Sequence, residues 1–313
     1  MILTVTLNAS IDKRYVVEDY RIGEVNRVKE CSYTAGGKGL NVSKNAVIAG
    51  EKVAATGYAG GHAGEYITEQ ARMLGIRDAF IRVAGESRSC INIYDTVNRT
   101  QTEFLEPGMA VTAESEEELK EQVRALMPEC DVVAMSGSIP KGSSPDIYQE
   151  LTAIAKAAGR KVIVDTSGKL LEGVVAAPRA QKPTMIKPNI DEIRALTGKS
   201  AKNLDELVLA AKALYESGIE VVAISLGGDG SLLVCAEGCF RAQVPKINAV
   251  NTVGCGDSMI AGFAAGMARG LSMEETLRLA SAISAANAMR EETGFFVKED
   301  MEALYPQIMI TRL

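Results

Sequence analysis

Asn251-Thr252-Val253-Gly254-Cys255-Gly256-Asp257-Ser258-Met259 runs directly into Ile260-Ala261-Gly262-Phe263-Ala264-Ala265-Gly266. The first part reads as a glycine-bracketed turn and the second as a helix of small and apolar residues. Free amides in the turn and the helix dipole point at one spot, which suits an anion. Asp257 stands at the same spot. A carboxylate repels a bound phosphate, so its presence needs another reason. One is proton abstraction: the acid takes a hydroxyl proton while the amides hold the phosphoryl group that the oxygen attacks. The other is an ordinary helix N-cap, a position that Asp fills often.

The chain before this stretch alternates short β-branched runs with helical patterns. Residues 2–7, 53–58, 132–135, 161–164, 184–186 and 221–225 are brief and apolar, as strands buried on both faces should be. Helical periodicity covers 40–49, 64–74, 115–127, 146–158, 204–216, 259–269 and 273–290. Repeated β-then-α units predict an α/β fold, a doubly wound parallel sheet flanked by helices, with ligands at the carboxyl ends of its strands. Residues 13–33 and 88–106 instead alternate polar and apolar side chains with no helix between, as in Cys90-Ile91-Asn92-Ile93-Tyr94. A doubly wound core has no slot for antiparallel ribbons, so these are expected to project as a small β-sheet lid. With no internal repeat and no linker, residues 1–313 are expected to form a single domain carrying that lid.

Charged residues make up 24% and the net charge is −6, which opposes general nucleic-acid binding. The same charge means that an anionic substrate must be held by local Lys and Arg. Six scattered cysteines and one histidine, His62, speak against a zinc site and for reduced thiols. No run approaches the roughly 20 apolar residues that span a bilayer, and the start of the chain lacks the marks of a signal peptide. A cytoplasmic protein without membrane partners is expected.

Gly36-Gly37-Lys38-Gly39 precedes a helical pattern and offers close backbone approach beside a compact charge. Asp12, just after the first strand, could accept bonds from two sugar hydroxyls or cap a turn. Asn189 and Glu192, after the strand ending at Ile186, could ligate Mg²⁺ partly through water or form a capping box. Ser225-Leu226-Gly227-Gly228-Asp229-Gly230 could admit a nucleotide or simply turn. Gly198-Lys199-Ser200 is no Walker A ending, because Ile193 stands where the first glycine belongs. Gly254-x-Gly256 fails the dinucleotide fingerprint at Met259. His62 lies in a glycine-rich loop with no G-x-S-x-G anywhere, which leaves no Ser-His-Asp hydrolase.

Together, Ala35-Gly36-Gly37-Lys38-Gly39-Leu40-Asn41-Val42 and the Asn251–Ser258 stretch resemble the PfkB sugar kinases of the ribokinase superfamily. Leu7-Asn8-x-x-x-Asp12, Gly23-Glu24-Val25-Asn26-Arg27, Ser136-Gly137-Ser138-Ile139-Pro140 and Ile186-Lys187-Pro188-Asn189 fall in family order, so the likeness spans the chain. It is similar to the phosphosugar branch, the 1-phosphofructokinases and tagatose-6-phosphate kinases. The resemblance implies a ribokinase-like fold and ATP-dependent phosphorylation of a ketohexose monophosphate. The acceptor would be tagatose 6-phosphate or fructose 1-phosphate; an unphosphorylated sugar or nucleoside, or a non-catalytic sensor, is the alternative.

It further implies Asp257 as catalytic base, with the amides of Gly254, Cys255 and Gly256 as the anion hole. Asp12, Gly37, Lys38 and Asn41 would bind the sugar, with Arg27, Arg88 and Ser138 on its phosphate. Lys187, Asn189, Glu192, Ser225, Gly227, Gly230 and Asn287 would face ATP and Mg²⁺, the metal falling to Asn189 and Glu192. The lid resembles the family's β-clasp, which implies a homodimer through it. Cys255, at a helix N-terminus, is expected to be an acidic, reactive thiol whose alkylation inactivates and which ATP protects.

Overall fold

The computed structural model describes residues 1–198, 201 and 203–313. Lys199 and Ser200 of the rejected Walker-like stretch lie outside the described residues. In chain order the elements are β1 (Ile2–Thr6), β2 (Ser10–Val17), β3 (Glu30–Gly36), α1 (Lys38–Ile48), β4 (Val53–Gly60), α2 (Gly61–Met73), β5 (Arg77–Asp78), β6 (Ile81–Val83), β7 (Arg88–Asp95) and β8 (Thr100–Leu105). There follow α3 (Ala113–Leu126), β9 (Val132–Ser136), α4 (Ile147–Ala157), β10 (Lys161–Asp165), α5 (Gly168–Ala176), β11 (Met185–Ile186), α6 (Ile190–Thr197), α7 (Leu204–Glu216) and β12 (Val221–Ser225). Last come β13 (Ser231–Cys235), β14 (Gly238–Gln243), α8 (Cys255–Arg269), α9 (Met273–Ala288), α10 (Lys298–Leu304) and β15 (Met309–Arg312).

The main sheet runs β15-β14-β13-β12-β11-β10-β9-β1-β4-β5, with β6 also on β4. Pairing is parallel from β12 to β5, as apolar strands buried on both faces require. Strand alternation divides the core. Ile2 faces one cluster, which takes in α1, α2, α8, α9 and α10, whereas Leu3 and Val5 face another, against α3, α4 and α7. The small-residue run of α8 has a packing reason: a Cβ on Gly262 would lie 2.4 Å from the Ala280 Cα of α9. Only glycine lets the two helices approach so closely.

The alternation had not foreseen α5 or the antiparallel extension of β13, β14 and β15. The lid is a four-stranded sheet, β3-β2-β7-β8. Its first ribbon starts at Ser10 rather than 13 and ends at Gly36 rather than 33. Its centre is not antiparallel either, for β2 and β7 pair in parallel where two separate hairpins meet side by side. The shift in bounds matters, because it sets Asp12 on a lid strand above the main sheet.

Candidate active site

The carboxyl ends of β1, β9 and β10 and the underside of the lid enclose a cavity of about 690 Å³. Asp12, Lys38, Asn41, Arg88, Ser138 and Asp257 all line it, though they come from five separate parts of the chain. The lid contributes by register. Thr34, Asp12, Cys90 and Leu105 form one transverse row, and Ser32, Arg14, Asn92 and Glu103 the next. All eight line the cavity.

Helix α8 begins at this cavity. Its N-cap is Gly254, in the left-handed conformation at φ 83, so Asp257 is the third helical residue and no cap. Asp257 is 6% exposed, and Asn41 Nδ2 donates to its Oδ2 at 2.9 Å. Burial lifts its pKa to about 6; Lys38 opposes the rise, Asp165 adds to it, and Asn41 and Lys187 also oppose it. The group is therefore ionised at neutral pH but far less acidic than an exposed carboxylate. That poise suits a base whose proton comes from a sugar alcohol.

The amide set differs from expectation at one member. The Cys255 N–H is turned back to the Thr252 carbonyl at 3.3 Å, whereas Gly254 and Gly256 line the cavity beside Asp257. The thiol differs too. Burial, then the Asp257 charge, pushes Cys255 up to about 11, against a lowering by Asn287. A nearby carboxylate and lost solvation outweigh the helix dipole, so the expected reactive thiolate is corrected to a protonated thiol.

Asp12 accepts from Ser10 Oγ at 2.7 Å. Its carboxylate lies against Gly36, where any Cβ would come within 2.1 Å of it. Burial raises its pKa, while Ser10, Lys44 and Arg88 work the other way. Arg88 is fixed by its Nε donating to the Asn8 carbonyl at 3.1 Å and its Nη1 to that of Glu106 at 3.1 Å. Asn8 Nδ2 also donates to Ser138 Oγ at 3.2 Å. Asn8 thus aligns both phosphate-binding candidates, a part that the sequence reading left unassigned. Arg27 is exposed on the β2–β3 connection and does not line the cavity of its own chain.

Asp165, at the end of β10, is the residue that the sequence reading missed. It is 5% exposed and lies between two ammonium groups, Lys38 Nζ at 3.3 Å and Lys187 Nζ at 3.5 Å. Burial alone would raise its pKa, but Lys187 and Lys38 together hold it below the ordinary carboxylate value. In turn Asp165 is the largest cause of the raised Lys38 pKa. The Lys187 ammonium lies 3.5 Å from where a Cβ on Gly256 would stand, beside the start of α8. The signal available was position alone: a buried acid at the carboxyl end of a parallel strand.

Asn189 and Glu192 form the capping box of α6. Asn189 Oδ1 accepts from the Glu192 N–H at 2.9 Å, and Glu192 Oε2 accepts from the Asn189 N–H at 2.9 Å. Both oxygens are hard donors, and Glu192 Oε1 accepts no hydrogen bond among those described. The pair therefore suits a cation that keeps most of its waters, as Mg²⁺ does. Ser225 bridges to Asn189, its N–H donating to the Pro188 carbonyl at 3.3 Å, and the Gly227–Gly230 turn follows. None of these groups lines the cavity; Lys187, two residues before Asn189, reaches toward it through its ion pair with Asp165. Asn287 does not face outward: it is fully buried, accepting from Ser258 Oγ at 2.6 Å and from the Phe295 N–H at 3.1 Å. Its place is under the turn that carries the anion hole. His62 opens α2 with its side chain 97% exposed and takes no part.

A buried acid held by an asparagine, free amides at a helix start and a bracket of lysines around them make an arrangement suited to phosphoryl transfer. The pattern of the pfkB family of carbohydrate kinases matches residues 5–300. The chain belongs to that family. The tagatose-6-phosphate kinase of Staphylococcus epidermidis is 40% identical over 311 residues, 99% of each chain. Phosphofructokinase-2 from Escherichia coli, solved in a tetrameric inhibited form, superposes with a TM-score of 0.90 at 27% identity over 98% of both chains. Arabidopsis thaliana ribokinase, solved with ribose and ATP, shares the fold at a TM-score of 0.79 and 22% identity, over 97% of this chain and 98% of its own. The doubly wound sheet is thus ribokinase-like, and the chain is a carbohydrate kinase of a family that uses ATP. Among the described residues, no helix is long and apolar enough to cross a membrane.

Proposed function

We propose that this pfkB kinase transfers the terminal phosphoryl group of ATP to O1 of tagatose 6-phosphate, with fructose 1-phosphate, at O6, as the competing acceptor. The observation that carries this reading is Asp257, buried at the start of α8 within a cavity that also holds Arg88, Ser138 and Lys38. A sugar phosphate needs fixed cations in a protein of net charge −6, and Arg88 is tied in place by two carbonyls. The relative at 40% identity bears the name of the tagatose kinase.

Asp12, Gly37 and Asn41 hold the sugar hydroxyls, and Asp257 removes the proton of the alcohol that attacks. The bond from that oxygen to phosphorus forms as the bond to the leaving ADP oxygen breaks. The amides of Gly254 and Gly256, with Lys187, face the charge on the moving group. Ser225, Gly227 and Gly230 would let the protein backbone approach the nucleotide, and Asn189 and Glu192 would hold Mg²⁺, partly through water. When bound, that cation neutralises phosphate charge.

On the lid, Tyr33 and Phe104 stand in one row with Lys13 and Ile91 but outside the cavity lining, and are 49% and 51% exposed. An apolar face of this kind supports a homodimer through the lid, and it leaves Arg27 available to the partner's cavity. Free cysteines throughout support a reducing, cytoplasmic setting.

Steady-state kinetics on tagatose 6-phosphate, fructose 1-phosphate and fructose 6-phosphate, side by side, test the assignment. The highest kcat/KM is expected for tagatose 6-phosphate. Turnover of unphosphorylated sugars alone would overturn the reading.

A further inference from the structure

Arg14 has no part in the machinery described so far, yet it lines the cavity from the lid. On β2 the cavity face passes through Ser10, Asp12 and Arg14, every second residue. Arg88 of β7 stands opposite Ser10, and Asn92 opposite Arg14. The rows of the two arginines therefore flank Asp12 on opposite sides, four residues of β7 apart, or about 13 Å of strand. At its end Arg88 is fixed by the Asn8 and Glu106 carbonyls. At the other end the Arg14 guanidinium lies over the Tyr94 ring, 5.4 Å from its centroid, and comes within 4.0 Å of Glu291. The Glu291 carbonyl accepts from Asn251 Nδ2 at 2.9 Å, and Asn251 Oδ1 accepts from the Val253 N–H at 3.0 Å, which ties Glu291 to the turn that opens α8. Gly294 packs on the same turn, for a Cβ on Gly254 would lie 2.4 Å from its nitrogen. Arg14 thus reaches from the lid to the segment that flanks the proposed anion hole.

The other cations that line the cavity are already engaged. Lys38 pairs with Asp165, Arg88 donates to two carbonyls, and the Lys13 ammonium sits over the Tyr33 ring at 5.8 Å. Arg14 donates no hydrogen bond among the described residues, and its long pair with the exposed Glu291 is of a kind that contributes little. Glu103, the acid in its own row, accepts from Asn92 at 3.3 Å instead. We propose that Arg14 binds the phosphoryl group that the reaction adds. The cavity then holds a ketohexose bisphosphate between two arginines, Arg88 on the phosphate that arrives with the sugar and Arg14 on the one it gains. A planar guanidinium braced on a ring, with its donors uncommitted, suits a phosphate dianion. A second phosphate entering among Asp12, Glu103, Asp257, Glu291 and Glu292 also needs a cation on the lid side. No bond is made or broken at Arg14 itself.

Because this role rests on a ketohexose phosphate as substrate, the wild type is measured first. Kd is read by calorimetry for whichever of tagatose 6-phosphate and fructose 1-phosphate the wild type turns over faster, and for the matching bisphosphate. The same two ligands are then titrated into Arg14→Met and Arg14→Lys. In Arg14→Met the bisphosphate is expected to bind roughly tenfold more weakly, as for a lost hydrogen bond to a charged group, while the monophosphate changes by less than about twofold. Arg14→Lys keeps the charge and recovers part of the bisphosphate affinity. Equal weakening of both ligands puts Arg14 on the arriving phosphate, and unchanged binding of both leaves it an ordinary lid charge; either result overturns the assignment. Should the methionine variant fail to fold by circular dichroism, Arg14→Gln is judged by the same comparison. A wild type that binds neither sugar phosphate removes the substrate reading and this role together, whereas a failure confined to the Arg14 variants leaves the substrate reading standing.

Discussion

The floor of the cavity and its roof are built on opposite plans. The floor, where α8 starts, sets Asp257, Asp165 and Lys187 at 5–6% exposure within a web of charges spaced 3.3–3.5 Å apart. The roof is a thin sheet with one polar face and one apolar face, and its side chains remain half open to solvent. In the floor, each charge takes its strength from lost solvation and from neighbours that cannot move away. In the roof, strand register decides which side chains reach the cavity. Changes in the floor should therefore cost rate, and changes in the roof should cost affinity or assembly.

The sharpest way to break this contrast is Asp257→Asn. A rate loss on the order of 10²–10⁴ is expected with sugar-phosphate binding largely kept, by turnover assay and calorimetry. Asp165→Asn should leave Lys187 buried without its counter-charge and cost about 3–5 kcal/mol of stability, read from denaturant unfolding. In the roof, Arg88→Met should raise KM for the sugar phosphate roughly tenfold or more with a smaller change in kcat, since a charged hydrogen bond contributes about 1.5–3 kcal/mol.

A subtler check is the pH profile. If Asp257 is the base proposed, it must be unprotonated to act, so kcat/KM should fall about tenfold per pH unit below a limb near 6. The smallest effect belongs to Cys255. With its thiol held up to about 11, iodoacetamide at neutral pH should label exposed Cys31 first and leave activity nearly intact, as mass spectrometry beside an assay would show.

Much of this arrangement was legible in the chain. The glycine turn before α8, the diglycine loop before α1 and the β-branched runs between helices are local signals, each carried by a few adjacent residues. Asp165 was not legible, because its two lysines lie 127 positions before it and 22 after it and meet it only when β10, β11 and α1 converge. The direction of the Cys255 shift was misread for a related reason: the helix start is visible in sequence, but the burial and the neighbouring carboxylate that outweigh it arise from packing. Asn189 and Glu192 show a third case. Their spacing encodes the capping box whether or not they also meet a metal, because that bond is local to one helical turn.

The order of residues by itself determined the α/β plan, the lid as a separate ribbon pair and the position of the acid among the glycines, since periodicity and turn chemistry act over a few residues. Tertiary structure decided which charges meet, how strongly Asp257 holds its proton and which lid residues line the cavity. Those properties depend on desolvation and on distances between parts of the chain far apart in sequence, and neither exists until the sheet has closed around them.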